Sequence, residues 1–550
     1  MMYDDENAYI SKRQERSINY AVAIASGNYR SERLERSTVF RKTFAQYSIQ
    51  SKKFFSKGQY RWDDKNFGGV PVDYDSAKSV LYVDNSDAHT MVIGSTGSKK
   101  SRLIVMPTVE LLGVAGESMI ICDPKAEIYN HTAFSLQQKG YQIGILNFRN
   151  PETGDCWNVL RIPYQKFLEG EIDKACEYIN DAAISLMPAY SRDPYWDFSS
   201  RDLFVGLTLL LFYFCKDRQL PLDYVNIQSV LDFRMSLFQK MDTEDIMKNN
   251  LWQEIEKYKL VKTKLIGTVE CPQRTMACIL STFDQHLSCF SLQPQIIDLL
   301  SSTTLEFEQA GFKKIAIFLI LPDEKTTYHK LVSIFIKQIY EQLIDNAQRV
   351  CADGRYPTRV NFVLDEFSSL PVISDFPQMI TASRSRNLRF VLIVQSKHQL
   401  QQRYGDETET IFSNCGNWLF LFTRELALLQ EISILAGKKN NEPLISVSAL
   451  QHLDKETGEC LVFSGRCYPY FSHLADIDLL TDKPYKRLKI EKRDESEMIP
   501  IGWIQQELLK KRGEREDEGK MEQELTDIHK ELEKKIDELF GESNSGDEDE

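Results

Sequence analysis

Gly94-Ser95-Thr96-Gly97-Ser98-Lys99-Lys100-Ser101 decides how the chain reads. It follows the apolar run His89-Thr90-Met91-Val92-Ile93 and precedes Leu103 to Leu112, whose spacing is helical despite Pro107. Strand, Gly/Ser/Lys turn and helix, closing in Lys-Ser, make the pattern of a phosphate-cradling loop. Backbone N–H groups at such a helix N-terminus face an anion, and the helix dipole favours negative charge there. Gly94, Ser95, Thr96, Gly97, Ser98, Lys99, Lys100 and Ser101 are therefore the expected nucleotide-binding residues. Lys100 is expected to meet the β- and γ-phosphates and Ser101 to hold Mg²⁺, which makes ATP with Mg²⁺ the expected cofactor. Position 99 departs from the pattern, with Lys where glycine is usual. A side chain at positive φ costs about 1 kcal/mol, so turnover is in question, although the charge suits a phosphate. The plain alternative is a Gly/Ser-rich strand-to-helix turn.

Outward from the loop, apolar runs alternate with helical spacing. Ser118 to Cys122 reads as a strand ending at Asp123, and Gln142 to Leu146 as another, with a helix carrying Ala133, Leu136 and Gln137 between them. After a long interval the strand pattern returns at Lys314–Leu321, Arg359–Leu364, Leu388–Val394, Asn417–Phe422 and Glu459–Phe463. Such alternation predicts an α/β fold with a mostly parallel sheet covered on both faces. The interval from Tyr164 to Leu300 is almost wholly helical in pattern and reads as an all-helical domain inserted into that core. The expected division is a basic N-terminal arm (1–62), a nucleotide-binding domain in two parts (63–163 and 301–485), the helical insert (164–300), and an acidic helical or disordered tail (486–550).

Two further strand ends carry chemistry. Val360 to Leu364 leads into Asp365-Glu366. An acid leaving a buried strand can order a Mg²⁺ hydration shell, and the next can accept a proton from water. Asp365 is the candidate metal residue and Glu366 the candidate base; two acids in the first turn of a helix would look the same. Gln395, leaving the strand Leu388–Val394, is placed to sense a γ-phosphate or to be an ordinary loop amide.

The net charge is −13 over 550 residues, unevenly spread. Arg30, Arg33, Arg36, Arg41, Lys42 and their neighbours make the N-terminal stretch basic, whereas the chain ends in Asp547-Glu548-Asp549-Glu550. Acidity overall does not exclude nucleic acid, because binding follows local patches. The eleven cysteines form no Cys-x-x-Cys pair, which favours reduced thiols over a disulfide framework or a zinc site. Charges interrupt the N-terminus as they would not in a signal peptide, and apolar runs such as Phe204–Phe214 fall short of the ~18 residues that cross a bilayer. The expectation is a cytoplasmic protein, at most peripheral to a membrane. In the tail, Met521, Leu525, Ile528, Leu532, Ile536 and Leu539 are spaced as one helical face.

The ordered set of elements resembles the TraG/TraD family of type IV secretion (conjugative) coupling proteins, relatives of the FtsK/HerA DNA pumps. The resemblance covers roughly Ser86 to Leu480. Asp123-Pro124-Lys125-Ala126-Glu127 resembles the family's Asp-Pro-Lys-Gly-Glu, with Ala126 for Gly, and Asn158-Val159-Leu160 its Asn-Pro-Leu. Asp193-Pro194-Tyr195-Trp196 is similar to the aromatic start of a helix in the family's all-helical domain. Leu364-Asp365-Glu366-Phe367, Ala382-Ser383-Arg384-Ser385-Arg386 and Val394-Gln395-Ser396 follow in family order. The resemblance implies a RecA-like P-loop ATPase core, a ring (a homo-hexamer) with ATP between subunits, and Arg384 as an arginine finger, with Arg386 as its rival. It also implies DNA, a relaxase or accessory DNA-processing protein, and secretion-channel components as partners. Many relatives begin with membrane helices that this sequence lacks, which implies either recruitment to the membrane through a partner or a shortened copy of the family.

The leading function is thus a coupling ATPase that drives DNA toward a transfer channel. A catalytically weak docking platform on the same fold is the alternative, and a generic P-loop helicase or packaging motor is the third.

Overall fold

Buried strands in a parallel sheet must be apolar on both faces, and the apolar runs behave accordingly. The strands are β1 (Ala45–Ser48), β2 (Lys53–Phe55), β3 (Val70–Asp75), β4 (Val80–Asp84), β5 (Thr90–Gly94), β6 (Ser118–Asp123), β7 (Gln142–Asn147) and β8 (Ile315–Ile320). Then come β9 (Val360–Leu364), β10 (Leu388–Val394), β11 (Asn417–Phe422), the short ribbon β12 (Lys438–Lys439) and β13 (Glu442–Pro443), β14 (Glu459–Ser464) and β15 (Tyr470–His473). The computed structural model describes residues 44–50, 53–55, 68–189, 194–239, 242–325, 327–439, 441–465, 469–481 and 485–493, with 503–504, 506–508, 510 and 530. Most of the basic arm, Asp193 and the apolar stripe of the tail lie outside the described residues.

The main sheet runs β15-β14-β11-β5-β10-β9-β6-β8-β7. From β11 to β7 every pairing is parallel; β14 and β15 close one edge antiparallel. Each residue of β5, β6, β8, β9 and β10 is buried. The helices Met106–Ala115 and Glu127–Gln138 bury Val109, Leu112, Tyr129, Ala133 and Leu136 against Val92, Ile121 and Phe318. At about 25 cal/mol per Å² of apolar surface, each of the larger of these side chains contributes on the order of 2 kcal/mol, and the Ala133 methyl less than about half of that. A second, antiparallel sheet of order β2-β1-β4-β3 packs Tyr47, Leu81 and Val83 against Leu111 and Ala475. Its β1 and β2 fall within the stretch read from sequence as a basic arm.

The chain divides into two compact units, residues 1–190 with 286–496 and residues 191–285 with 497–550. Residues 164–190 and 286–300, read with the helical insert, group with the sheet. One reason is Lys166, buried on the helix Arg161–Leu168, which bonds Asp345 on the helix His329–Val350 at 3.0 Å. Arg493, in the tail by sequence, also belongs to this unit, bonded to Asp298 at 2.8 Å.

The other unit is helical. The helix Tyr195–Asp217 buries Leu203, Phe204, Leu207, Leu210, Leu211 and Phe214, with the helices Ile227–Leu237 and Lys259–Val269 packed on it. Among the described residues it is the one helix long and apolar enough to cross a membrane, by length and composition alone. Trp503 completes this core edge-on to Phe214 and Tyr224, with ring centroids 5.9 and 4.8 Å away.

Just before β5, His89 is fully buried; its Nε2 donates to the Ile380 carbonyl at 2.8 Å and its Nδ1 accepts from the Phe390 amide at 3.0 Å. Both contacts suit a neutral ring. Burial, abetted by Arg384 and Arg389 against the opposing pull of Asp87, lowers its pKa from 6.5 to about 4. The unfolded chain therefore takes up this proton first, so His89 erodes stability as pH falls from about 6.5 to about 4, by on the order of 3 kcal/mol. Denaturant unfolding across that range is expected to show a smaller acid-side loss in His89→Gln than in the wild type.

Candidate functional site

The parallel register gathers four strand ends. Ile93 pairs with Val394, so Gly94 and Gln395 leave β5 and β10 side by side. Leu364 pairs with Cys122, so Asp365 and Asp123 leave β9 and β6 together. Adjacent strands lie about 4.8 Å apart, so one row of residues spans the carboxyl edge of the sheet, where ligands bind in open α/β folds.

The loop Gly94–Ser101 arches over this edge. The Ser95 amide donates to the Phe422 carbonyl at 2.7 Å, which ties the loop to β11. Ser98 donates its amide to the Ser95 carbonyl at 3.2 Å, while its buried hydroxyl has no partner among the described residues. The chain then winds through a π-turn, Ser101–Val105, into the helix Met106–Ala115. Lys100 is buried and folds back on the loop, its ammonium donating to the carbonyls of Gly94 and Ser95. Burial lowers its pKa, with Asp365 and Glu366 pulling it up and Lys125 pushing it down. An ammonium resting on two carbonyls, beside an orphaned hydroxyl, can turn to an incoming phosphate.

Opposite the loop, Asp365 accepts from the Glu366 amide at 2.9 Å. Burial, with Glu366 adding and Lys100 opposing, pushes Asp365 up to about 6. Asp123, buried and accepting from the Tyr129 amide at 2.8 Å, is pushed up to about 7, again first by burial. Two crowded carboxylates of raised pKa are a site where a cation is welcome. Gln395 bridges the two sides: its Nε2 donates to Glu366 Oε1 at 2.9 Å, and its Oε1 accepts from the Thr96 hydroxyl at 3.0 Å. Loop, acid and amide are therefore one hydrogen-bonded chain.

Three non-glycine residues around this edge have left-handed backbones: Lys99 (φ 62°), Ala126 (φ 57°) and Glu366 (φ 54°). At the first two, the motifs they resemble carry glycine, and the strain of a side chain is of order 1 kcal/mol each. Lys99 Nζ is held by Glu456 at 2.6 Å, a partner without a signal in the sequence. Asp123, and Lys125 close enough to act on Lys100 and Asp365, also belong to this edge, beyond the residues expected from sequence; an acid closing a buried strand, as at Asp365, is the signal that finds Asp123.

Arg384 does not join this group. It lies in the turn Arg384–Arg386 before β10, at the amino edge of the sheet, paired with Asp87 at 3.2 Å. The seven residues of β10 separate it from Gln395, roughly 23 Å at strand rise. It cannot serve the site of its own chain.

Residues 37–443 match the family described as Type IV secretory system Conjugative DNA transfer. No curated protein sequence matches the chain. Among solved structures it is similar to the bacterial conjugative coupling protein TrwBdeltaN70 in its unbound monoclinic form, with a TM-score of 0.50 and 15% identity over 78% of this chain and 91% of that one. The plasmid coupling protein TrwB in complex with the non-hydrolysable ATP analogue ADPNP gives 0.49 at 15% identity, over 79% and 92%. VirB4 of Thermoanaerobacter pseudethanolicus gives 0.43 at 15%, over 76% and 97%. At such identity the first of these shows the shared fold. With most of its 550 residues matched to that one family, the chain belongs to the type IV secretory system conjugative DNA transfer family.

Proposed function

We propose that the chain is a coupling ATPase that binds ATP with Mg²⁺ at the carboxyl edge of its sheet and hydrolyses it to bring DNA, with its relaxase, to a type IV secretion channel. The observation that carries this reading is the hydrogen-bonded chain Thr96–Gln395–Glu366 facing Lys100 and Asp365. In this reading the backbone of Gly94–Ser101 and the Lys100 ammonium hold the phosphates. Ser101 and Asp365 would hold Mg²⁺, which when bound neutralises charge on the phosphate oxygens. Glu366 takes the proton of the attacking water, and Gln395, bonded to both loop and base, registers whether the γ-phosphate is present. Membership of a conjugative DNA transfer family supports DNA and a secretion channel as partners. A homo-hexamer, a relaxase or accessory DNA-processing protein as cargo, and a cytoplasmic position held at the membrane through a partner belong to the same proposal. Complementation of DNA transfer between cells tests it: the wild-type chain restores transfer, and full transfer with Lys100→Ala would sink the reading.

Arg384, out of reach of its own site, fits an arginine finger to a neighbouring subunit. Arg384→Ala is expected to lower turnover on the order of a thousandfold in the assembled protein and to leave nucleotide affinity of the isolated chain unchanged. An equal loss of nucleotide binding in the monomer would make it a structural residue instead.

One observation favours the second reading, a docking platform of weak turnover: Lys99 occupies a left-handed loop position with its ammonium engaged by Glu456. Lys99→Gly relieves the strain and frees Glu456. Steady-state ATP hydrolysis in that variant is expected to equal or exceed the wild-type rate, by up to roughly fivefold for about 1 kcal/mol. A clear fall would give Lys99 a role of its own.

A further inference from the structure

Away from that edge, the sheet unit holds a cavity of about 570 Å³ between the helices Ile172–Leu186 and His329–Val350 and the turn Arg384–Arg386. No residue of the loop Gly94–Ser101 lines it, nor do Asp365, Glu366 or Gln395. Its wall already shows an alkylammonium held by acids: Lys337 Nζ lies 2.8 Å from Asp181 and 3.0 Å from Asp375. Asp345 is likewise matched, by Lys174, by Lys166 at 3.0 Å and by Arg349 at 3.1 Å. Glu341 is not. Among the described residues its nearest ion-pair partner is Lys337 at 3.8 Å, an ammonium already committed to two other carboxylates. Beside it the Tyr178 hydroxyl is buried without a hydrogen-bond partner among the described residues, and Tyr178 is only 2% exposed. A buried hydroxyl left without a partner is costly, and here one sits with an under-compensated carboxylate in a cavity large enough for a small ligand.

We propose that this cavity binds an organic cation, an alkylammonium or guanidinium group, through the Glu341 carboxylate and the Tyr178 hydroxyl. Such a group brings several N–H donors on one charge, so it can satisfy both acceptors as Lys337 satisfies Asp181 and Asp375. The groups facing Glu341 support this. Lys337 is on its own helix, Asp181 and Glu177 are on the helix Ile172–Leu186, and Asp375 precedes the helix Phe376–Ser383. Lys174 and Arg386 complete the charged lining. Burial, with Asp181, Asp375 and Glu177 adding and Lys337 opposing, raises Glu341 to about 7. A bound cation displaces that proton, so binding strengthens as pH rises from 6 to 8. The cation has two sources, a free polyamine or a Lys or Arg side chain of a second copy of this chain, and both present the same chemistry to the site.

The test uses the full chain with n-butylamine, methylguanidine and spermidine as probes, followed by calorimetry at pH 6 and pH 8, with sedimentation for the state of association. Saturable binding of at least one probe is expected, stronger at pH 8 and weakened about tenfold in Glu341→Gln and several-fold in Tyr178→Phe. Spermidine binding with sedimentation unchanged assigns the site to a free polyamine. Self-association that n-butylamine reverses and Glu341→Gln abolishes assigns it to a side chain of a second copy. Absence of saturable binding for all three probes, together with identical sedimentation of wild type and Glu341→Gln, overturns the proposal. So does binding that both variants leave unchanged. Glu341→Gln preserves side-chain shape and removes an under-compensated charge, so a folded variant is expected, and its nucleotide affinity serves as the control.

Discussion

Lys100→Ala is expected to weaken ATP–Mg²⁺ binding by a hundredfold or more, on the order of 3 kcal/mol for a charge-assisted contact to phosphate. Lys100 is buried against the loop it closes, and its ammonium rests on the Gly94 and Ser95 carbonyls. On the proposed reading, those carbonyls hold the charge at a position from which it turns to the β- and γ-phosphates. Removing it leaves the phosphates with backbone donors alone, and leaves Asp365 and Glu366 without the nearby cation that partly offsets their repulsion. Equilibrium binding of a fluorescent ATP analogue with Mg²⁺ measures the loss. Unchanged affinity would mean that the nucleotide, if bound at all, lies elsewhere.

Glu366→Gln is expected to keep ATP bound and to lower hydrolysis by about 10²- to 10⁴-fold, the usual contribution of a positioned base. The substitution is informative because of what it leaves intact. The glutamine side chain still offers an oxygen to Gln395 Nε2, so the chain from Thr96 through Gln395 survives. What disappears is the capacity to accept a proton. Single-turnover hydrolysis separates this from a change in affinity, and a wild-type rate in the variant would remove Glu366 as the base.

The strands of the main sheet were legible because buried parallel strands leave an unbroken apolar run bounded by a turn or an acid. β5, β6, β9 and β10 announce themselves in this way, and with them the residues that end or follow each: Gly94 and Asp123 at the ends of β5 and β6, Asp365 and Gln395 just past β9 and β10. The small sheet was not legible. β1 and β2 sit among Lys52, Lys53 and Lys57, where charge hides the pairing of Tyr47 with Phe54 across the hairpin. β15 is only four residues long, and its place at the sheet edge is fixed by antiparallel pairing with β14, which no local pattern specifies.

Within the candidate site, sequence spacing proposed which residues take part, and the register of four strands brings Lys100, Asp365, Glu366 and Gln395 to one edge. Spacing could not reveal the bond from Gln395 to Glu366 or the capture of Lys99 by Glu456, because both join residues far apart in the chain. Nor could it show that Arg384 faces away from its own loop, since that follows from the length and direction of β10. The left-handed backbone at Lys99 was foreseeable from the glycine that usually stands there. Its counterpart at Glu366 has no such precedent in the sequence.

On the proposed reading, this edge of the sheet turns over ATP in service of DNA. The most direct measurement is steady-state ATP hydrolysis by the purified full chain, without DNA and with saturating single- or double-stranded DNA, alongside Lys100→Ala and Glu366→Gln. Mg²⁺-dependent turnover that DNA stimulates, and that both substitutions abolish, is the predicted result. No hydrolysis by the wild-type chain under any of these conditions, or turnover that survives in Lys100→Ala, would contradict it.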